Sequence, residues 1–424
     1  MNLSKSQSEA LELFYNFLSD TTATDFVLEG GSGKGKTFLA QQMIKTVEDY
    51  DNFVITLDEK HQSKTLLLCA TTNQAAERLT ASTNRDVTTI HSLLGLVVKN
   101  NTVTGQTNLA RPNNRTFSII RDSIVFIDEA SMIDDELENF IQDSFDYSSC
   151  KVVRIGDPDQ ILAVNATEPV GLKIATPYRA KLREYQRAHA DNPITLLGEA
   201  FRQSIFTGVM PKVEAASTIT LLTGSELKNI IPTLFKTPDQ LYTEAKLLAF
   251  KNDTVIKYNQ HIRQLFYPDD ILHPGEIVMT NGVVMTKNLQ AVLFSNNAYL
   301  RVVSAEPRKD SILNQEYEVL AVTVTMLGCY EREVIYTFRD PNELQRLLKQ
   351  LYARRAYQDY FEIKSRYCDL RAVHAMTTDK SQGSTFNDVI LDLRDLQNCR
   401  DYPSFARRAY VAVTRAKNHL YIRT

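Results

Sequence analysis

The chain has 424 residues, 43% hydrophobic and 23% charged, enough to bury real cores and to divide into two to four units. Its net charge is −3, so no overall field attracts a polyanion and any nucleic-acid contact must come from a local groove. No run reaches the roughly 18 apolar residues of a membrane span and MNLSKSQSEALELF lacks a signal-peptide core, which points to a soluble cytoplasmic protein; the 5 scattered cysteines, without CxxC spacing, read as reduced thiols.

In chain order, the first feature is LSKSQSEAL, where Gln7 carries an amide of the kind that pairs with an adenine edge. DFVLEG then reads as a short buried strand, and TFLAQQMIKTVEDY as an amphipathic helix with Phe38, Leu39, Met43, Ile44 and Val47 inward. Between them, Gly30, Gly31, Ser32, Gly33, Lys34, Gly35, Lys36 and Thr37 match G-x-x-x-x-G-K-[ST] without substitution. Glycines let backbone N–H groups converge on phosphate oxygens, and the helix N-terminus adds positive potential. Lys36 then reaches the β- and γ-phosphates of ATP, while Thr37 is a ligand for Mg²⁺.

Further along, Ile124–Ile127 form an apolar strand that delivers Asp128 and Glu129 at its carboxyl end, where open α/β sheets bind ligands. Asp128 is the second Mg²⁺ ligand and Glu129 the general base on the attacking water. VVRIGDPDQI is another strand, placing the amide of Gln160 to contact the γ-phosphate or its water. Arg202 in LLGEAFRQS and Arg415 in YVAVTRAKNHLYI lie far from the cradle, as expected if a second core closes over the γ-phosphate.

Taken together, LSKSQSEAL, GGSGKGKT, LLLCATTNQAAERL, TTIHSLLG, VFIDEAS, IGDPDQI, EAFRQS, TTDKSQGSTF and AYVAVTRAK resemble, in order, the motif series of superfamily 1 helicases. Within that superfamily the chain is similar to the RecD-like B branch, and in length and layout to the phage Dda-type helicases; the resemblance runs from Gln7 to Lys417. It implies an ATP-dependent, Mg²⁺-dependent monomeric motor that translocates 5′-to-3′ on single-stranded DNA and opens forked or tailed duplexes in replication, recombination or repair. A single-strand-binding protein or other replication proteins are the implied protein partners, no membrane is involved, and the location is the host cytoplasm if the gene belongs to a phage. By resemblance, Thr71, Thr72, Asn73, Thr89, His91, Ser92, Lys380 and Ser381 contact the strand, and Gln382 and Gly383 the nucleotide. On chemistry alone His91 reads more often as a hydrogen-bonded structural histidine. Two positions depart from the family pattern: Ala70-Thr71-Thr72 stands for Ala-Pro-Thr, and Asp379 for histidine in the Gln382-Gly383 motif.

The implied fold class is α/β: two RecA-like parallel-sheet P-loop cores, with a small hairpin insertion in the first and a β-rich SH3-like insertion in the second. Residues 1–94 and 116–192 form the first core, and 95–115 a pin-like hairpin, which the residues alone also allow as a polar surface loop. Residues 193–268 and 370–424 form the second core, with RAVHAMT as one of its apolar strands. Residues 269–369 carry strand-like alternation and then one long helix whose stripe is Leu344, Leu347, Leu348 and Leu351. An assembly or clamp-loader-type P-loop ATPase would take its arginine from a neighbouring subunit, whereas both candidates here share the chain with the cradle. RNA fits the same strand-contact chemistry as DNA.

Overall fold

In the computed structural model, residues 3–58, 62–111, 118–163, 166–185, 191–238, 244–269, 271–286 and 292–424 are described. The resumption of the first core expected near Thr116 lies outside them.

Three buried runs explain the first sheet. Asp25–Gly30, Ser123–Asp128 and Lys151–Gly156 are buried on both faces, which suits parallel strands covered on two sides. Their side chains alternate. Phe26, Leu28, Phe126, Val153 and Ile155 enter a core with Phe14, Leu39 and Met43, while Val27, Val125, Ile127 and Val152 enter another with Ile90, Leu137 and Ile141. The result is a six-stranded parallel sheet in the order 88–89, 65–70, 123–128, 151–156, 25–30, 179–182. Because the chain crosses over between neighbours, Gly30, Asp128 and Gly156 all leave the sheet at one edge. The helix after the cradle, Lys36–Leu57, buries Leu39, Ala40, Met43, Ile44 and Val47; Phe38, expected inward, is only half-buried because it sits between the buried stripe and solvent.

A second parallel sheet is five-stranded, in the order 375–377, 245–249, 386–392, 416–423, 219–222. Helices Pro193–Thr207 and Tyr402–Val413 pack on one face through Phe201, Phe405, Ala409 and Val413.

Inserted in the chain between strands 245–249 and 375–377 of the second sheet is an antiparallel five-stranded sheet of 332–338, 315–326, 299–312, 277–280 and 370–372. Its longest hairpin turns at Leu313 and Asn314, both with positive φ (51° and 63°). RAVHAMT is therefore not one strand of the second core. Leu370–Ala372 pairs antiparallel with Ile277–Thr280, and Ala375–Thr377 joins the parallel sheet, with Val373 and His374 buried at the seam. Nor is the following helix continuous. Pro341–Ala353 buries the expected leucine stripe, then Arg355 turns left-handed (φ 59°), Ala356 N–H bonds back to Leu351 O, and Tyr357–Arg366 folds back so that Tyr360 lies on Tyr352.

The segment after Leu96 forms a two-stranded antiparallel ribbon, Val97–Asn100 with Thr107–Ala110. Its turn carries Gly105 at φ 74°, and a Cβ there would come within 2.4 Å of the Tyr357 ring. Among the described residues no helix is long and apolar enough to cross a membrane.

Candidate nucleotide and strand site

The cradle is a turn that only glycine enters easily. Gly33 and Gly35 have φ of 78° and 82°, and Gly35 caps the helix that begins at Lys36. The Lys36 ammonium lies back on its own loop, donating to the carbonyls of Gly30 (2.7 Å) and Gly31 (3.3 Å). Lys34 is buried over the Tyr185 ring, and burial lowers its pKa.

Beside the cradle the strand Ser123–Asp128 ends in a strained turn, with Glu129 at φ 54° and its N–H on Asp128 Oδ1 at 2.9 Å. Both carboxyl groups are buried. Burial, reinforced by Glu129, raises the Asp128 pKa. Burial works the same way on Glu129, but Arg78, Lys36 and Arg415 outweigh it and hold that carboxyl below its ordinary value. Asp157 is also buried, accepts Gln160 Nε2 at 3.1 Å, and has its pKa raised by burial.

The second parallel core supplies the opposite wall. Arg415, 3% exposed, donates through Nε to Val411 O (3.0 Å), through Nη1 to Ser384 O (2.9 Å), and through Nη2 to the Ser32 hydroxyl in the cradle (3.3 Å). Burial lowers its pKa to about 10, which leaves it charged at neutral pH. A single cavity is lined by Gly31, Ser32, Gly33, Gly35, Lys36, Thr37, Arg78, Glu129, Gln160, Thr385 and Arg415. Arg202 is placed differently. It spans the two cores beside this cavity, with Nη1 on Asp159 at 2.7 Å and Nε on Glu199 at 2.9 Å. Those carboxylates engage it, so it is a lateral clamp and not a wall of the cavity.

Several buried polar atoms have no partner among the described residues: Glu129 Oε2, Gln160 Oε1, Gln7 Nε2, and both amide atoms of Gln382. Such atoms are expensive unless a ligand or water satisfies them. Gln7 Oε1 is engaged with the Ser4 N–H (3.0 Å) in a helix cap, so only its amino group is free for an adenine edge. Gly383, at φ 82°, brings its backbone to Glu129: a Cβ there would lie 3.9 Å from Oε1. Two lone-pair-rich carboxyls, a hydroxyl at Thr37 and three cations, Lys36, Arg78 and Arg415, in one cleft fit a nucleoside triphosphate carried with a divalent cation.

The strand candidates are less uniformly placed. Thr71 is not a free contact: its hydroxyl donates to Glu129 O (3.1 Å) and its N–H to Asp128 O (3.2 Å). Thr72 and Thr89 serve as helix N-caps, for Ala75 and Ser92 N–H groups respectively. The hydroxyl of Ser92 accepts from Thr89. His91 is half-buried, and burial lowers its pKa. Asn73 Nδ2 reaches Asn296 O (3.4 Å) and Lys380 Nζ reaches Asn281 Oδ1 (2.9 Å), so both cores touch the antiparallel insertion here. Ser381 is a correction. It is fully buried with its hydroxyl on Thr378 O (2.7 Å), spent inside the turn that carries Gln382. Asp379, the departure from the family pattern, pairs with Arg408 (2.9 Å), an arginine of the same core.

Three residues of the site were not singled out from sequence. Arg78 bonds Glu129, Asp128 and Gly383 O; Arg407 donates to Pro158 O and Gln160 O; the Tyr410 hydroxyl joins Ser32 N–H to Asp157. The only available signal was helical spacing, which sets Arg78 one turn beyond Gln74 on a shared face.

A family model described as an AAA domain matches residues 17–166, and one described as UvrD-like helicase C-terminal domain matches residues 372–422. The ATP-dependent DNA helicase dda of Enterobacteria phage T4 is 24% identical over 432 residues, spanning 93% of this chain and 93% of that protein. The fold is shared with the Pif1 helicase from Bacteroides in complex with ADP-AlF3 and ssDNA, at TM-score 0.50 and 15% identity, covering 99% of this chain and 92% of that one. The Pif1 helicase from Candida albicans aligns at TM-score 0.49 and 16% identity, over 100% of this chain and 94% of that one. With the two family models in this order and a likeness to the T4 protein that spans both chains, this chain is similar along its length to a Dda-type DNA helicase.

Proposed function

We propose that the protein is an ATP-dependent DNA helicase that moves 5′-to-3′ along single-stranded DNA and opens forked or tailed duplexes, as a cytoplasmic monomer with Mg²⁺–ATP as its fuel. The single observation that carries this reading is Arg415 of the second core reaching Ser32 of the cradle in the first. A triphosphate held there is touched by both cores, so its hydrolysis changes their separation. Lys36 and the cradle bind phosphate, Thr37 and Asp128 hold the cation that neutralises developing charge, Glu129 takes the proton of the attacking water, and Gln160 orients that water. Arg415 stabilises the transition state, and Arg202 keeps the cores in register through Asp159.

Movement needs strand affinity that differs between open and closed states. Asn73 and Lys380 lie on different cores and suit that alternating grip, together with Thr72, Thr89 and His91. In this reading the ribbon around 97–110 is the duplex-splitting pin, braced by Gly105 against Tyr357, and the antiparallel sheet is the SH3-like insertion. The domains then run 1–94 with 116–192, 95–115, 193–268 with 370–424, and 269–369, except that Leu370–Ala372 pairs with the insertion's antiparallel sheet. A single-strand-binding protein or other replication proteins are the expected partners at the fork, and the host cytoplasm the site if the gene is a phage gene.

The test is ATP turnover with and without single-stranded oligomers, followed by unwinding of 5′-tailed against 3′-tailed duplexes. DNA-stimulated turnover that Lys36→Ala abolishes, with 5′-tail preference, is the expected result. Turnover indifferent to any strand would overturn the motor. Preference for the 3′ tail would overturn the polarity, and stimulation by RNA alone would overturn the choice of DNA.

A further inference from the structure

The helix Asn73–Thr83 of the first core places a cation on the two carboxyl groups assigned to metal and water chemistry. Arg78 Nη2 lies 3.2 Å from Glu129 Oε1 and 3.4 Å from Asp128 Oδ2. Its Nη1 donates to Gly383 O, across the cleft in the second core, at 2.6 Å. One turn earlier on the same face, Gln74 Oε1 accepts the Ser384 hydroxyl at 3.1 Å. One helix therefore holds the catalytic carboxylates with one residue and the Gly383–Ser384 turn with two.

We propose that Arg78 is a positioning residue that competes with the divalent cation for Asp128 and Glu129 while its other arm keeps its hold on Gly383 across the cleft. This rests on the reading of the cleft as an Mg²⁺–ATP site. A carboxylate oxygen that accepts from a guanidinium has surrendered a lone pair and much of its field to a neighbouring charge, so a metal must displace that donor to bind fully. Arg78 is built for displacement. Its side chain is 30% exposed, which gives it somewhere to go, and Nε has no partner among the described residues to pin it. A planar guanidinium with several N–H groups can leave the carboxylates while staying on Gly383 O, which a lysine could not do with the same geometry. Arg415 cannot substitute, because its fork is already divided among Val411, Ser384, Ser32 and Thr414.

The experiment is an Mg²⁺ titration of the binding of a fluorescent ADP analogue to the full-length chain and to Arg78→Ala, Arg78→Lys and Arg78→Gln, with thermal unfolding run alongside. In Arg78→Ala the half-saturating Mg²⁺ concentration falls about ten-fold, the scale of one charge-assisted hydrogen bond, and Arg78→Lys lies between that and the unsubstituted protein. Should the alanine variant fail to fold, Arg78→Gln keeps most of the stem and is read by the same titration. A half-saturation point that is unchanged or raised, with analogue binding intact, overturns the competition. Failure of the unsubstituted chain to bind the analogue at any Mg²⁺ concentration would instead strike the nucleotide reading on which this depends.

Discussion

The hydroxyl of Tyr410 donates to Asp157 Oδ2 at 2.8 Å and accepts the N–H of Ser32 at 2.8 Å, joining a helix of the second core to two loops of the first. Burial, with Asp157 beside it, pushes the phenol far above its ordinary pKa, so it remains a donor. It also occupies a cradle N–H of the kind that binds phosphate. Tyr410→Phe removes both bonds while keeping the ring. Steady-state turnover of this variant is expected to show kcat lowered about ten-fold through the misplaced Asp157–Gln160 pair, with KM for ATP unchanged or lower. A raised KM at normal kcat would contradict this role.

Arg415 divides one guanidinium among four acceptors on two cores, a geometry that a lysine ammonium cannot span. Arg415→Lys should therefore lower kcat by about 100-fold, the scale of losing one transition-state donor, with nucleotide binding reduced far less. Measuring turnover beside binding of a fluorescent nucleotide separates the two effects.

Gly171 leaves no room for a side chain. A Cβ there would sit 2.3 Å from Ala130 O and 2.8 Å from Ile133 Cβ, directly under the turn that follows Glu129. Gly171→Ala must push that turn. Expected is a loss of about 1–3 kcal/mol in urea unfolding, as for overpacked cores, together with reduced ATP turnover. Normal turnover in a destabilised protein would show that Glu129 does not depend on this contact.

Lys246 lies fully buried in the second sheet, its ammonium donating to Val373 O over the Phe386 ring, and burial lowers its pKa to about 7 from 10.5. Between those values the unfolded chain binds a proton that the folded chain does not, so this group makes stability rise with pH across the window. Below the folded pKa the burial penalty is present in full. Lys246→Met should remove that slope. The stability difference between Lys246→Met and the unsubstituted protein, read from urea midpoints, then shifts against the variant as pH rises from about 7 to about 9.5. A constant difference would show that Lys246 does not titrate in this window.

What was legible in the sequence is what is encoded locally. Strand, glycine loop and helix are contiguous around Gly35, and their periods and φ requirements announce a phosphate cradle without any knowledge of the rest. Asp128 and Glu129 likewise sit at the end of an apolar strand whose burial on both faces could be read from Ile124 to Ile127. The β-rich stretch after residue 269 showed as a switch to strand-like alternation, whereas the two parallel cores were implied by the motif resemblance.

Tertiary structure alone decided which distant groups share the cleft. Arg415 and Arg202 carry the same charge and the same sequence logic, yet one enters the cradle and the other is taken by Asp159 and Glu199, because the packing of their helices sets where each fork points. Arg78 and Tyr410 were invisible for the same reason. A side chain on a helix face acquires a role only when another element, hundreds of residues away in sequence, is packed against that face, and no local pattern records such an encounter.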